Sequence, residues 1–185
     1  LGDRYSYGEG VKKDFAEAVK WYAVAADAGN EWAQNKLANC YYYGDGVEQD
    51  EAKALEYFKK SAEAGNKNSM SRLGECYYYG RGTEQNYEEA FKWYQTAAEA
   101  GHNISKYSVG NCYFAGNGVE QNYEEAIKWF TDAAEQNIEG AMNKLGECYQ
   151  YGYGVEQNYE QSLAWYQKAA DKGNKHAKTR LQRLA

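Results

Sequence analysis

A glycine-rich stretch and an aromatic pair lie close together near the end of the chain, and both could hold a ligand. The stretch GYGVEQNYEQSLAWYQKAA begins at Gly152. A phosphate-cradling loop carries G-x-G-x-x-G directly after a strand, because its backbone amides must approach the phosphates. Here the third glycine is missing and no strand pattern precedes the first one. Trp165 and Tyr166 could form the sides of an aromatic cage. The pattern of the whole chain must decide whether the glycine-rich stretch and the aromatic pair bind a ligand.

Residues that could support catalysis or metal binding are few. The chain has two histidines, His102 and His176, which lie at different positions of the local pattern. It has no Ser/His/Asp order, no H-E-x-x-H and no C-x-x-C. Acidic residues are plentiful, but they occupy the first turns of helices and solvent-facing positions, where they are ordinary. We therefore predict that the protein is not an enzyme and has no catalytic residue, metal site or cofactor.

The four cysteines recur at one interval of 36 residues, as Cys40, Cys76, Cys112 and Cys148. Equivalent positions on stacked helices should lie about 9–10 Å apart, the usual distance between packed helix axes. A disulfide needs Cα atoms within about 7 Å of each other. We therefore expect the cysteines not to pair with one another and to serve as small apolar residues on a buried flank.

The same interval organises the entire chain. Segments similar to the one at Gly152 begin at Gly8, Gly44, Gly80 and Gly116. Copies in register predict an array of stacked repeats rather than one ordinary core. The predicted boundaries are a partial first repeat at 1–29, full repeats at 30–65, 66–101, 102–137 and 138–173, and a C-terminal capping helix at 174–185.

Each repeat contains two helical patterns. In the first, Leu73, Tyr77 and Gly80 have the i, i+4, i+7 spacing of one helix face. Gly74 and its counterparts Gly2, Ala38, Gly110 and Gly146 are all Gly or Ala, which we interpret as close approach by a neighbouring helix. The helix should end at Gly80, because glycine readily adopts the left-handed conformation of a helix C-terminus. Gly82 provides a second permissive joint before the next helix.

The second helix should begin at Asn86, whose side chain can accept from the free amides of the first turn. Glu89 can complete a capping box by bonding back to the amide of Asn86. The helix should end at Gly101, and at the corresponding position Asn137 is the other residue type that tolerates a left-handed turn.

The repeated pattern predicts an all-α fold and also decides what the residues near Gly152 do. Gly152 and Gly154 belong to a helix–helix turn that recurs in every copy, rather than to a phosphate loop. Trp165 and Tyr166 recur as core-facing residues of the second helix, rather than as a ligand cage.

With these elements in place, the recurring pattern resembles the Sel-one-like repeat (SLR), a relative of the tetratricopeptide repeat. The 36-residue step favours this family over tetratricopeptide arrays, whose period is about 34 residues. The resemblance covers essentially the whole chain. It implies an α/α right-handed superhelical solenoid of helix-turn-helix repeats that binds other proteins and has no catalytic residues. In the last full repeat, the residues that match the family pattern are Ala141, Leu145, Gly146, Tyr149, Gly152, Gly154, Val155, Asn158, Trp165, Tyr166, Ala169, Ala170 and Gly173.

Charge and hydropathy argue against two other classes of protein. The net charge is −6, and no face carries the basic stripe that a nucleic-acid surface needs. No apolar run reaches the length of a membrane span, and no segment resembles a signal peptide. The chain starts within a repeat, so we expect a fragment whose leader could be missing. The compartment, cytoplasmic or periplasmic, stays open.

The predicted partner surface is the side of each first helix opposite its core stripe. In this class of repeat the first helices line the inner, concave wall. Asparagines there can donate to and accept from a peptide backbone, and aromatic residues offer rigid contact area. The predicted concave-face residues are Asn35, Asn39, Tyr42, Tyr43, Ser71, Glu75, Tyr78, Tyr79, Tyr107, Asn111, Phe114, Asn143, Glu147, Gln150 and Tyr151.

These residues predict a non-enzymatic, monomeric scaffold that binds a protein or peptide on its concave face. Asn39 and Asn111 should hold a partner's backbone, and Glu75 and Glu147 favour a basic partner that carries Lys or Arg. Two alternatives stay open. One is a glycan, such as a cell-wall or exported polysaccharide, that stacks on the tyrosines. The other is an inert structural spacer whose tyrosines pack on each other.

Overall fold

The fold consists of helices joined by short turns. The computed structural model describes residues 1–184, so Ala185, the last residue of the predicted capping helix, lies outside the described residues. Within residues 1–184 there is no strand, which confirms the predicted all-α class of helix-turn-helix repeats. The helices are α1 (Gly2–Tyr7), α2 (Phe15–Asp27), α3 (Glu31–Tyr43), α4 (Glu51–Glu63), α5 (Lys67–Tyr79), α6 (Tyr87–Glu99), α7 (Asn103–Ala115), α8 (Tyr123–Glu135), α9 (Glu139–Tyr151), α10 (Tyr159–Asp171) and α11 (Lys175–Leu184).

The helices form two compact units. The N-terminal unit runs from Leu1 to Ala97, and the C-terminal unit begins at Ala98. Within each unit a first helix packs against the second helix of its own repeat, as α3 does with α4 and α9 with α10. Each unit has its own core of fully buried large side chains: Leu37, Phe58 and Leu73 in the N-terminal unit, and Val109, Phe130, Leu145 and Tyr166 in the C-terminal unit.

The predicted N-caps of the second helices are confirmed, but the second half of the capping box is wrong. Glu89 pairs with Lys92, Oε1 to Nζ at 2.8 Å. The N–H of Asn86 instead donates to the carbonyl oxygen of Tyr77 at 2.8 Å. The turn from the first helix already satisfies this amide, so the glutamate has no free donor to bond. The residues whose side chains accept from the N–H three residues on, at 2.9–3.0 Å, are Asp14, Asp50, Asn86, Asn122 and Asn158.

The two glycines of each turn have different roles. Gly80 ends α5 in the left-handed region with φ of 70°, as predicted. Gly82 also has φ of 70°, and a Cβ on it would lie 2.2 Å from the carbonyl oxygen of Glu51 in the preceding repeat. Gly46 and Gly154 have similarly close backbone neighbours, at 2.3 and 2.7 Å. The second glycine is therefore the point at which one repeat touches the backbone of the preceding one.

The small residue of each full first helix lies under an aromatic ring. A Cβ on Gly74 would lie 2.7 Å from Cδ1 of Tyr94, and the corresponding distance at Gly110 is 2.6 Å. The ring belongs to the second helix of the same repeat, which identifies the neighbour in the predicted close approach. Ala38 has a methyl group at this position, and it shares a buried cluster with Phe58.

A glutamine follows each full first helix in the connecting loop. Its side chain donates a hydrogen bond to a carbonyl oxygen at the end of that helix. Gln49 Nε2 donates to the carbonyl oxygen of Tyr42 at 2.9 Å. Gln85, Gln121 and Gln157 make the equivalent bond at 2.8, 2.9 and 2.7 Å. The last carbonyls of a helix have no partner within it, so these side chains stabilise the C-terminus. This role was not predicted from the sequence.

The four cysteines are free and buried, as predicted. Cys76, Cys112 and Cys148 are 1, 1 and 0% exposed, whereas Cys40 is 7% exposed. Burial raises the pKa of the first three thiols to about 12 and that of Cys40 to about 11. The thiolate is the reactive form of cysteine, so in the folded protein it is both scarce and enclosed.

We expect the cysteines to react very slowly with a thiol reagent such as DTNB in the folded protein near neutral pH. Cys40 should react first, because it is the least completely buried, and all four should react rapidly in denaturant. Mass spectrometry of partly labelled protein would give the order. Fast labelling of Cys112 without denaturant would contradict the observed burial.

Candidate partner-binding surface

The first helices bury one side and expose the other, as α3 shows. Ala33, Leu37 and Cys40 are buried, whereas Trp32 and Tyr43 are exposed. Partly or fully exposed residues recur at fixed positions of the first helices, and we call the surface that they form within each unit the first-helix face. It comprises Tyr7, Lys36, Asn39, Tyr43, Arg72, Glu75 and Tyr79 in the N-terminal unit, and Asn111, Lys144, Glu147, Tyr151 and Arg180 in the C-terminal unit.

A row of tyrosines stands at one repeat position of this face. Tyr7, Tyr43, Tyr79 and Tyr151 are 60, 53, 59 and 50% exposed, and the remaining position is Ala115. A single exposed aromatic residue is normal, but exposed apolar surface that recurs in a defined place is typical of an interaction site.

In α3, α5 and α7, the aromatic residue just before this repeat position is more buried than the residue at the position itself. Tyr42 is 6% exposed, and its ring packs against that of Phe58 with 6.1 Å between centroids. Tyr78 and Phe114 are half-buried. The prediction that Tyr42 and Tyr43 face a partner together is therefore corrected. Consecutive helical residues point about 100° apart, so only Tyr43 faces away from the core.

Cations that were not predicted from the sequence also recur on the first-helix face. Arg72 lies 5.9 Å from the ring centre of Tyr43, and Arg180 lies 5.9 Å from that of Tyr151. Each of these cations thus lies beside an exposed tyrosine of the preceding repeat. The 36-residue interval could have revealed the row, which consists of Lys36, Arg72, Lys144 and Arg180, with Ser108 at the remaining position.

The two predicted acidic residues are already paired within the chain. Arg72 Nη1 lies 2.8 Å from Glu75 Oε2, and Arg81 Nη1 lies 3.8 Å from Oε1 of the same carboxylate. Lys144 Nζ lies 3.1 Å from Glu147 Oε2. A basic partner would have to displace these cations, so Glu75 and Glu147 give no reason to expect one.

The side chains of the two predicted asparagines in α3 already donate hydrogen bonds within the protein. Asn39 Nδ2 donates to the carbonyl oxygen of Asn35 at 2.7 Å, which leaves Oδ1 of Asn39 for a partner. Asn35 Nδ2 donates to Ser69 Oγ at 2.6 Å, Ser69 to Ser61 Oγ at 2.7 Å, and Ser61 to the carbonyl oxygen of Glu31 at 2.7 Å. This hydrogen-bond chain, with both serines buried, links α3, α4 and α5. Asn35 therefore has a structural role.

The predicted residues of the C-terminal unit mostly contact its core. The ring of Tyr107 lies 5.9 Å from that of Phe130, and Gln150 Oε1 accepts from the hydroxyl of Tyr166 at 2.8 Å. Oδ1 of Asn143 is buried without a hydrogen-bond partner among residues 1–184. These side chains therefore offer a partner little free surface. The remaining predicted residues that are half-buried are Ser71 in the N-terminal unit and Asn111 in the C-terminal unit.

A small cavity opens beside Asn39 in the N-terminal unit. Its volume is about 210 Å³, and its walls include Ser6, Lys36, Tyr43 and Asp45. Pockets for drug-sized ligands usually measure about 300–1,000 Å³. The cavity therefore suits a single polar side chain or a short stretch of backbone.

Residues 1–184 contain no cluster of three or more metal-ligating side chains in position to hold an ion. His102 caps α7 by accepting from the N–H of Ser105 at 3.3 Å. Among the same residues, no helix combines the length and apolar character that crossing a bilayer requires.

Comparison with known proteins gives consistent matches. The family model of the Sel1 repeat matches residues 1–30, 33–66, 67–102, 104–138 and 140–174. A protective antigen of uropathogenic Escherichia coli strains that displays an SLR fold is 37% identical, with a TM-score of 0.92. The match covers 100% of this chain and 41% of that one, so the chain spans less than half of its relative. A Sel1 repeat protein from Oxalobacter formigenes is 33% identical, with a TM-score of 0.90 over 95% of this chain and 72% of the other.

More distant structures share the fold alone. An immunity protein from Pseudomonas aeruginosa is 23% identical, with a TM-score of 0.59 over 95% of this chain and 67% of the other. No curated protein sequence matches the chain significantly. Because the family model matches successive helix pairs along almost the entire length, together with their glycine turns and N-caps, the chain belongs to the Sel1 repeat family.

Proposed function

We propose that the protein binds a protein or peptide partner on the first-helix face and performs no chemistry there. Sel1-repeat proteins are generally non-enzymatic scaffolds for protein interactions. The observation that carries the proposal is the row of exposed tyrosines at one repeat position: Tyr7, Tyr43, Tyr79 and Tyr151. Aromatic side chains bury a large area, lose little conformational entropy and are common in interface hot spots.

The way in which these rings are held favours binding over a spacer role. Tyr43 packs edge-on against Tyr42, and Tyr79 packs edge-on against Tyr78, with 4.9 Å between centroids in each pair. Each exposed ring is therefore supported by its neighbour and has little freedom to lose on binding. Such preorganisation strengthens association. The rings of Tyr43 and Tyr79 also remain 53 and 59% exposed, which distinguishes them from tyrosines that serve only to pack on each other.

A glycan is the second candidate, because tyrosine rings can stack on sugar faces. Sugar hydroxyls also need free polar groups around the stacking ring. Near Tyr43, the amide of Asn35 and the carboxylate of Glu75 are engaged within the chain. The cavity beside Asn39 presents a cation and an amide oxygen, which suit a polar side chain and a backbone N–H. We therefore favour a peptide or protein partner.

We expect Tyr79→Ala to weaken partner binding about tenfold or more, because loss of a central aromatic contact typically costs about 1–2 kcal/mol or more. The ligands would be peptides selected on the protein from a display library, and calorimetry would measure their affinity. Tyr159→Ala is the matched control. Tyr159 is 59% exposed, as Tyr79 is, but it begins the second helix α10.

Two outcomes would count against this proposal. A loss of affinity in Tyr159→Ala that equals or exceeds the loss in Tyr79→Ala would place the partner elsewhere. A glycan array should be probed in parallel. Binding on that array, with no peptide recovered from the library, would favour the glycan.

A further inference from the structure

We propose that the partner segments bound by the first-helix face are acidic, and that they place a carboxylate on Arg180 in the C-terminal unit and, at a separate place, on Lys36 in the N-terminal unit. The inference rests on the proposed function of this face and names the chemistry of its partner. Its basis is a pair of cations that are held in place without a carboxylate.

Arg180 in α11 presents its guanidinium group to the last turn of α9. Its Nη1 donates to the hydroxyl of Tyr151 at 3.1 Å and to Oε1 of Gln150 at 3.3 Å. Both acceptors are neutral, and no carboxylate of residues 1–184 forms an ion pair with Arg180. A guanidinium group has five N–H donors in a fixed fork, so donors remain for a ligand.

Lys36 repeats this arrangement in the N-terminal unit. Its Nζ donates to the hydroxyl of Tyr7 at 3.0 Å and lies 4.9 Å from a ring centre of Trp32. Tyr7 occupies the repeat position of Tyr151, and Lys36 that of Arg180. Lys36 likewise forms no ion pair with a carboxylate of the described chain. The cavity of about 210 Å³ beside it could admit a carboxylate side chain.

The other two cations of the row are neutralised. Arg72 pairs with Glu75 at 2.8 Å, and Lys144 pairs with Glu147 at 3.1 Å. In a chain of net charge −6, acidic residues are in excess and a carboxylate partner is easily supplied. Lys36 and Arg180 are therefore exceptions, and both lie beside an exposed tyrosine.

A carboxylate is the ligand that fits both places. It can accept two parallel bonds from a guanidinium group, and charged acceptors bind more strongly than neutral ones. The exposed ring of Tyr7 or Tyr151 lies next to the cation, so an apolar neighbour of the acidic residue can pack on it. Arg180 should contribute more than Lys36, because its planar guanidinium group can bind a carboxylate through two parallel hydrogen bonds, whereas an ammonium group cannot. Each cation also has one carboxylate nearby that forms no ion pair with it, Asp45 beside Lys36 and Glu147 beside Arg180.

Labelled decapeptides with alternating Glu–Ser, Gln–Ser or Lys–Ser sequence would test the preference for an acidic partner. Fluorescence polarisation would measure the Kd of each peptide for the whole chain. We expect the Glu–Ser peptide to bind more tightly than the other two. Its Kd should rise about tenfold in Arg180→Gln, the usual effect of losing a hydrogen bond to a charged group. The Kd should rise further in the double variant Lys36→Gln/Arg180→Gln.

The control is Lys59→Gln/Lys172→Gln, which removes the same charge from exposed positions in α4 and just after α10. The Kd of this control variant should lie within about twofold of the parent value, whereas Arg180→Gln should raise the Kd about tenfold. Tyr151→Phe keeps the ring but removes one of the two acceptors that hold Arg180. It should weaken binding without unfolding the repeat.

An equal loss in the lysine control, or no binding of the Glu–Ser peptide, would overturn the acidic assignment. Tighter binding of the Gln–Ser or Lys–Ser peptide would also overturn it. If Tyr79→Ala weakened the binding of the Gln–Ser or Lys–Ser peptide, the proposed function of the face would still stand.

Discussion

Alanine at position 82 is expected to lower the free energy of unfolding by about 2–5 kcal/mol, the sum of two costs. Gly82 has φ of 70°, and the left-handed conformation costs an L side chain about 1–2 kcal/mol. The new Cβ would also lie 2.2 Å from the carbonyl oxygen of Glu51. Rotation of a side chain cannot relieve a clash with backbone, so the two repeats must move apart, and overpacking of this kind costs about 1–3 kcal/mol.

Gly29→Ala separates these two costs. Gly29 has φ of 84°, and no atom lies within 4 Å of a Cβ built on it. Its replacement should therefore cost only the backbone contribution of about 1–2 kcal/mol. Urea unfolding of both variants would measure the difference. Equal destabilisation would mean that the contact between Gly82 and Glu51 does not constrain the repeats.

The turns were predictable because their conformation depends on single residues. Asn137 replaces a glycine of the pattern, and it is the only residue other than glycine with positive φ in the described chain, at 64°. The caps were predictable for the same reason, since Asn86 meets an amide three residues away in its own helix. Local chemistry of this kind does not depend on how repeats stack.

Contacts between elements were harder to predict. The hydrogen bond between Ser61 and Ser69, at 2.7 Å, joins two helices whose relative placement the sequence pattern does not define. Arg81 reaches Glu75 from the loop after α5, and this contact also depends on the fold. The pair of Arg72 with Glu75 is different. It has i, i+3 spacing in one helix, and so could have been predicted from the sequence.

The candidate surface was predicted as a helix face, but the roles of single residues were not. A step of about 100° per residue cannot decide whether Tyr42 or Tyr43 faces solvent, because both lie near the edge of the buried stripe. Packing against Phe58 decides it by drawing the ring of Tyr42 inward. The cations Lys36 and Arg180 were not predicted, because an unpaired cation is recognised only once the positions of the neighbouring carboxylates are known.

Valine at position 74 is the other substitution with a large expected effect, about 3 kcal/mol of lost stability. A Cβ on Gly74 would lie 2.7 and 2.8 Å from Cδ1 and Cε1 of Tyr94 and 3.2 Å from the carbonyl oxygen of Ala90. Tyr94 is itself buried, so its ring cannot turn away without disturbing the core. The two methyl groups of valine extend further toward α6, so the helix must shift outward.

Gly74→Ala distinguishes this clash from the conformational effect of replacing glycine. Ala38 beside Phe58 shows that a repeat can accommodate one methyl group at this position. Alanine is also about 0.5–1 kcal/mol more favourable than glycine within a helix, which offsets part of the clash with Tyr94. Thermal unfolding followed by circular dichroism should therefore give Gly74→Ala a melting temperature between those of the parent and Gly74→Val, because alanine introduces the Cβ contact but not the two further methyl groups of valine. If Gly74→Val melts together with the parent, the close packing between α5 and Tyr94 does not limit stability.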